Sequence, residues 1–115
     1  ITVTGFRGDI TKYDSVLKIV NRDSTYTYNI VIRYKGLITG YTWNYIDYIR
    51  LIAKKGATTE IFTINSGTPA EAATDPISLA PGEEIEIGVE VLVKVDAPVN
   101  QIVIGIEVHV EATRQ

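Results

Sequence analysis

The fold of this chain is decided by two stretches near its C-terminal end, 84-EIEIGVEVLVKV-95 and 102-IVIGIEVHVE-111. In the first, an apolar side chain recurs at every second position from Ile85 to Val95. In the second, the same period runs from Ile102 to Val110, with the polar residues Glu107, His109 and Glu111 on the opposite face. A period of two is typical of a β-strand with one buried face. Because the connection between the stretches is short, they are predicted to pair as an antiparallel hairpin.

The rest of the chain also favours strands. Val, Ile and Thr together exceed a third of the residues, whereas Leu occurs five times, and β-branched side chains pack well on a pleated surface. Further strands are predicted at residues 1–6, 16–20, 26–35 and 59–64, and residues 65–75 are predicted to form a loop. Within 26–35 the period of two places on one face Tyr28, Ile30, Ile32 and Tyr34. Residues 41–52 are either one long strand, or a loop or helical turn followed by a strand from about residue 49. The sequence predicts an all-β, antiparallel, jelly-roll-like β-sandwich of about seven strands.

Composition narrows the classes of function. A length of 115 residues fits one domain, here residues 1–115. The formal charge of −3 argues against a nucleic-acid partner, and no apolar run is long enough to enter a membrane as a helix. Without Cys, with a single His and without a nucleophile elbow or an acid/base pair of carboxylates, the chain is not expected to be an enzyme.

Two features of composition bear on where the protein works. There is no Met, even at position 1, so we expect a processed start after removal of a signal peptide, and hence an extracellular protein. The absence of Cys and Met, with only two Gln, leans towards a heat-adapted source.

Metal binding is a secondary hypothesis. His109 stands between Glu107 and Glu111 on one strand face, and Asp9, Asp14, Asp23, Asp47, Asp75 and Asp96 lie in or near predicted loops. Calcium needs several converging oxygen ligands, and zinc prefers more nitrogen or sulfur donors. We therefore interpret these residues as solvated faces and turns, expect no resident cofactor, and keep calcium as the alternative.

An aromatic cluster offers a candidate binding surface. Tyr41, Trp43, Tyr45 and Tyr48 alternate with polar residues in the middle of the chain. Such side chains anchor protein interfaces, stack on sugars, or simply pack at the rim of a core. The sequence leaves all three interpretations open.

The C-terminal third resembles the TasA/camelysin family of secreted filament proteins. The resemblance lies in the turn Leu79-Ala80-Pro81-Gly82 before a long alternating strand, the pair Asn100-Gln101, and the tail 111-EATRQ-115. The early segment 17-LKIVN-21 also looks like the strand-then-Asn element of such sandwiches. Archaeal bundling pili look similar. The resemblance implies a jelly-roll-like sandwich and assembly by donor-strand complementation, in which one subunit's N-terminal strand completes the next subunit's sheet. Metalloprotease activity, also ascribed to camelysins, is not carried over because the HExxH motif is absent.

The N-terminal segment suits a donor role. Ile1 and Val3 would enter a groove between the sheets, and Phe6, on the other parity, would pack at its mouth. The groove is expected to be lined by Ile and Val of the last two strands. An added strand satisfies the backbone groups of an open sheet edge, and head-to-tail addition builds a filament because it does not close.

The first hypothesis is therefore an extracellular homopolymer, with cell-surface or matrix contacts and no membrane insertion of the mature chain. In the alternative to the donor role, residues 1–6 pair within their own sheet. The second functional hypothesis is a carbohydrate-binding module that uses the aromatic cluster. A third is the head of an archaeal pilin that has lost its N-terminal helix.

Overall fold

Every regular element of the chain that the structure describes is a β-strand. The computed structural model describes residues 1–98 and 101–115, and in this part it holds no helix able to cross a bilayer. The eight strands are β1 (Thr2–Gly5), β2 (Ile10–Val20), β3 (Tyr28–Leu37), β4 (Ile46–Lys55), β5 (Thr58–Ile64), β6 (Ile77–Leu79), β7 (Glu84–Val93) and β8 (Ile102–Arg114).

The strands form two four-stranded antiparallel sheets. Sheet I has the order β1-β8-β3-β6 and sheet II the order β2-β7-β4-β5. Among the strands of the described residues, only β4 and β5 are consecutive neighbours within one sheet, and they form a hairpin closed at Lys55 and Thr58. Every other connection passes from one sheet to the other. This is the jelly-roll arrangement of eight strands, and it confirms the predicted all-β, jelly-roll-like sandwich.

The predicted hairpin of the last two strands is wrong. β7 lies between β2 and β4 in sheet II, and β8 lies between β1 and β3 in sheet I. The two strands face each other across the sandwich instead of pairing. An alternating pattern indicates which face of a strand is buried, but it does not indicate which strand pairs with it. Two apolar faces can cover each other equally well when their strands lie in opposite sheets.

The core lies between the inner faces of the two sheets. From sheet II, β7 contributes the alternate residues Ile85 to Val93, and β4 contributes Ile49 and Leu51. From sheet I, β8 contributes Ile104 and Ile106, and β3 contributes Ile30, Ile32 and Tyr34. These residues are at most 3% exposed. The face predicted for residues 28–34 is thus the buried one.

The end of β7 and the start of β2 differ most from the expectations. Val95 follows the end of β7 and is 81% exposed, so it does not belong to the buried face. β2 begins at Ile10 rather than at residue 16. Its register against β7 shifts between Tyr13 and Leu17, and this bulge interrupts the period of two on which strand prediction depends.

The middle of the chain follows the second of its two predicted courses. A turned segment precedes β4, which starts at Ile46, a little earlier than expected. Tyr45 has a φ of 66°, a left-handed conformation that side chains other than Gly, Asn and Asp seldom adopt. The loop predicted at residues 65–75 is present, and the three-residue β6 follows it.

A buried asparagine ties one end of the sandwich together. The side-chain amide of Asn21 donates to the carbonyl oxygens of Leu79 and Tyr26, at 2.9 Å each. Its side-chain oxygen accepts from the Asp23 amide at 2.9 Å. Asn21 therefore links the end of β2 to β6 and to the loop before β3, and it satisfies polar groups that burial would otherwise leave unpaired.

Replacing this side chain is expected to destabilise the fold. In Asn21→Ala the Leu79 and Tyr26 carbonyls and the Asp23 amide each lose one hydrogen bond to this side chain, which costs about 1–3 kcal/mol. Chemical denaturation monitored by circular dichroism measures this change in the free energy of unfolding. Asn44→Ala, in an exposed turn, is the matched control and should change little. Equal stability of the two variants would contradict the role given to Asn21.

Candidate functional site: an N-terminal edge strand and an open sheet edge

The first residues of the chain form the edge of sheet I. β1 pairs antiparallel with β8, from Thr2 opposite Gly105 to Gly5 opposite Ile102. Ile1 and Ile106 exchange hydrogen bonds of 2.9 and 2.8 Å. In the single chain, residues 1–6 therefore lie in their own sheet. Exchange of this strand between chains stays a prediction.

The side chains of this segment alternate between the two faces as expected. Val3 points into the core and is 3% exposed, and Ile1 packs against the core from a half-buried position. Phe6 follows the strand and is 51% exposed. At Gly5 a Cβ atom would lie 2.6 Å from the Val93 side chain, so a glycine is required where β1 closes on the opposite sheet.

A tyrosine from the other sheet covers the outer edge of β1. The Tyr13 hydroxyl, from β2, donates to the Thr4 carbonyl at 2.7 Å and accepts from the Thr4 amide at 3.2 Å. Both Thr4 groups face away from β8, because Ile1 and Ile106 form a hydrogen-bonded pair and the pattern alternates from there. One side chain thus occupies the edge groups that a further strand would need.

Beyond Ile1, the edge of sheet I is open. β8 continues through residues 107–114, where β3 pairs on one side. In the described part of the chain, no strand pairs with these residues on the other side. By the same alternation, the backbone groups of Val108, Val110 and Ala112 point to this open side.

Apolar side chains are left uncovered along this edge. Val110 shares the inward parity of the buried Ile104 and Ile106 and yet is 40% exposed. On the opposite sheet, Leu17 is placed inward by its register with Ile87 and is 38% exposed. β1 is too short to reach between these residues, so the space between the sheets opens to solvent here.

The open edge ends in an apolar pocket. A cavity of about 280 Å³ lies between the ends of β2 and β8 and the start of β3, and its apolar lining includes Ile19, Tyr28, Ile30, Leu79 and Ala112. Asp23 lies at its rim. Hydrogen bonds from the Thr25 and Tyr26 amides and from the Tyr28 hydroxyl hold the pKa of the Asp23 carboxyl below its ordinary value. Arg22 lines the same pocket, so its rim carries charges of both signs.

The aromatic residues occupy several places rather than one strip. The Tyr41 ring lies over Gly105 on sheet I. Tyr48 lies on β4, where the Arg50 guanidinium stacks 4.2 Å from its ring centre. Trp43 and Tyr45 share an open hollow of about 490 Å³ with Asn44, Ser66, Lys94 and Asp96. Only this pair, with its polar neighbours, is arranged as a ligand site would be.

The candidate metal ligands do not converge. His109 Nε2 lies 3.1 Å from a Glu107 carboxylate oxygen, whereas Glu111 is held by Arg33 at 2.9 and 3.1 Å. Within residues 1–98 and 101–115, no three His, Asp or Glu side chains form a metal-binding group.

Comparison with known proteins gives no family. No protein-family model matches the chain, and no curated protein matches it. Of the residues that carry the TasA/camelysin resemblance, Asn100 lies outside the described residues. The turn at Leu79–Gly82 and the long β7 and β8 strands are present.

No pattern in the sequence marks Tyr13 or Leu17 as a member of this site, and Val110 is covered only by the general expectation that Ile and Val of the last two strands line a groove. Tyr13 precedes a bulge, which hid the strand it belongs to. Val110 was assigned correctly to an inward face, but a sequence does not reveal that the neighbouring strand stops short of it.

The Tyr13 hydroxyl is expected to hold β1 in place. Tyr13→Phe removes both hydrogen bonds to Thr4 and leaves the ring packing intact, so hydrogen exchange at the Thr4 amide should accelerate about tenfold. Amide exchange followed by NMR measures this rate. Tyr41→Phe, whose hydroxyl does not contact β1, is the control. An unchanged Thr4 rate in Tyr13→Phe would show that the hydroxyl does not secure the strand.

Proposed function

We propose that this chain is a structural subunit of an extracellular filament or pilus, joined head to tail by donor-strand complementation. In this proposal, β1 of one subunit lies beside β8 of the next, with Ile1 and Val3 inward and Phe6 at the end of the strand. The proposal rests on the incomplete pairing of β8. The short strand β1 pairs with part of one edge of β8, and the rest of that edge is open.

The energetics favour exchange of this particular strand. β1 has four residues and a single neighbour in its sheet, β8. When the same segment of another copy takes its place, the backbone hydrogen bonds and the buried Val3 contacts form again. The net cost is then chiefly that of association, and a rise in concentration shifts the balance towards the polymer.

The connection after β1 provides a place for the chain to change direction. Gly8 has a φ of 75°, and its amide donates to the Val93 carbonyl at 3.0 Å. A different φ and ψ at this glycine would turn the strand away from its own sheet without the steric cost that other residues carry. The resemblance of the C-terminal third to TasA/camelysin proteins points to the same assembly, as it does to secretion, a biofilm matrix and an archaeal source.

A disulfide at β1 tests the strand exchange. Thr4 and Val103 are directly opposite in a non-hydrogen-bonded pair, where Cα atoms lie about 4.5 Å apart, and this spacing suits a disulfide. The chain has no Cys of its own. The Thr4→Cys, Val103→Cys variant, oxidised as a dilute monomer, should form no filaments in negative-stain electron microscopy, and reduction should restore them.

Oxidation after assembly gives the complementary readout. If β1 is exchanged, the same variant should yield a ladder of covalent multimers on non-reducing gels, whereas reciprocal exchange would give dimers alone. Single-cysteine variants are the controls. Filaments that form equally well from the oxidised monomer would overturn the proposal.

The hollow at Trp43 and Tyr45 supports a second candidate function, carbohydrate binding. It combines two aromatic rings with amide, ammonium and carboxylate groups from Asn44, Lys94 and Asp96. Aromatic faces flanked by a few polar groups are the usual means of holding a sugar-sized ligand.

A substitution that suits the local backbone tests this candidate. Asn tolerates the left-handed conformation of Tyr45, so Tyr45→Asn removes the ring and should leave the thermal midpoint unchanged or raised. Retention in affinity electrophoresis on a polysaccharide panel should fall at least tenfold if the hollow binds sugar. Tyr26→Asn, remote from the hollow, is the control. No retention of the unmodified protein on any polysaccharide would count against this function.

A further inference from the structure

Gly5 is a position on β1 where the opposite sheet leaves no room for a side chain. It lies on the same inward face as Val3, and a Cβ atom built on it would lie 2.6 Å from the Val93 side chain and 3.2 Å from the Val91 side chain. Both valines are fully buried, and a β-branched side chain in a packed core has little freedom to turn aside. A larger residue at this position of β1 would therefore collide with β7.

The requirement for glycine comes from these neighbouring side chains and not from the backbone. Gly5 does not have a positive φ, unlike Gly8 and Gly56, so an alanine could adopt its backbone conformation. Only the side chains of Val93 and Val91 oppose a larger residue here. A change on β7 alone should therefore remove the requirement.

We infer that the pair Gly5 and Val93 selects which strand β8 accepts, and in which register. This inference rests on the proposed strand exchange, in which Gly5 comes from one copy and Val93 from the next. The admitted strand has apolar residues at its first and third positions and glycine at its fifth, as another copy of this chain has. Alternating apolar residues also occur in β4 and β7, so they do not discriminate by themselves, whereas a steric clash excludes strands that lack the glycine.

The same contact decides the register of β1. A shift of two residues keeps the inward face inward, and the backbone hydrogen bonds to β8 and to the Tyr13 hydroxyl would form again. Sliding β1 by two residues towards the open edge would, however, put Arg7 against Val93, and sliding it the other way would put Val3 there. Only with Gly5 opposite Val93 does the strand fit.

Competition between two donor strands tests the selection. One donor chain carries Thr4→Cys, the other carries Thr4→Cys with Gly5→Ala, and both are mixed in equal amounts with an acceptor chain that carries Val103→Cys, in a glutathione redox buffer. Because positions 4 and 103 are directly opposite, a disulfide between them in different copies reports that β1 of the donor lies on β8 of the acceptor. Mass spectrometry separates the two products. The donor that keeps Gly5 should be favoured about tenfold or more, since overpacking a core carries a cost of this order.

Two further acceptors show whether Val93 is responsible. With Val93→Ala in the acceptor, the preference should fall to within about twofold, because the methyl group of the Gly5→Ala donor then has space. Val89→Ala, at another buried valine on the inward face of β7, is the matched control and should keep the preference. Each preference is a ratio measured on one acceptor, so a general loosening of the sandwich affects both donors alike.

The outcomes separate this inference from the proposed function. Equal yields from the two donors on the acceptor with Val93 intact would overturn the selection by Gly5 and leave strand exchange standing. A preference that Val89→Ala abolishes as fully as Val93→Ala would overturn the role given to Val93. If neither donor forms the disulfide, β1 is not exchanged, and the proposed function fails together with the selection. Circular dichroism of each variant confirms that it is folded before mixing.

Discussion

β7 and β8, from opposite sheets, supply inward faces to the single apolar core that holds the two sheets together. β7 lies inside sheet II, and β8 lies inside sheet I as far as Ile106. Over this length their inward residues are almost fully buried, among them Val91, Val93, Ile104 and Ile106. Every other strand gains its place by pairing with one of these two or with their neighbours. The open edge has a separate cause, because β1 pairs with β8 only between Ile102 and Gly105 and leaves the rest of that strand with one neighbour.

The sequence predicted which faces are buried better than which strands are neighbours. The alternation at residues 85–93 and 28–34 identifies core positions correctly, because a period of two is a property of the strand itself. The prediction that the last two strands pair as a hairpin was wrong, since the pairing of neighbouring strands depends on the topology of the whole domain. The first half of β2 was missed because a bulge breaks the pattern, and β6 was missed because three residues carry too little pattern to distinguish them from a loop.

The candidate site was predictable in part for similar reasons. The inward parity of Ile1 and Val3 follows from the sequence, and the structure places Val3 in the core. The Tyr13 hydroxyl on Thr4 joins residues nine positions apart from opposite sheets, and no local pattern reports such a contact. The pocket at the end of β2 likewise depends on where β1, β3 and β8 begin and end relative to one another. The four aromatic residues of the cluster are close in sequence, but the folded chain places them on different surfaces.

The position of β1 in the chain has a consequence for the time course of synthesis. Of the described strands of this domain, β1 is made before all the others and its partner β8 after them, so β1 cannot take its place in the sheet until the rest of the domain has been synthesised. Nearly all pairings of this topology are likewise non-local, and proteins of this kind fold slowly. If the chain assembles as we propose, β1 of a newly made copy is free for a long interval while the β8 of a finished copy beside it is already formed. Under that proposal, the rates of folding favour linked copies even where the closed monomer is equally stable.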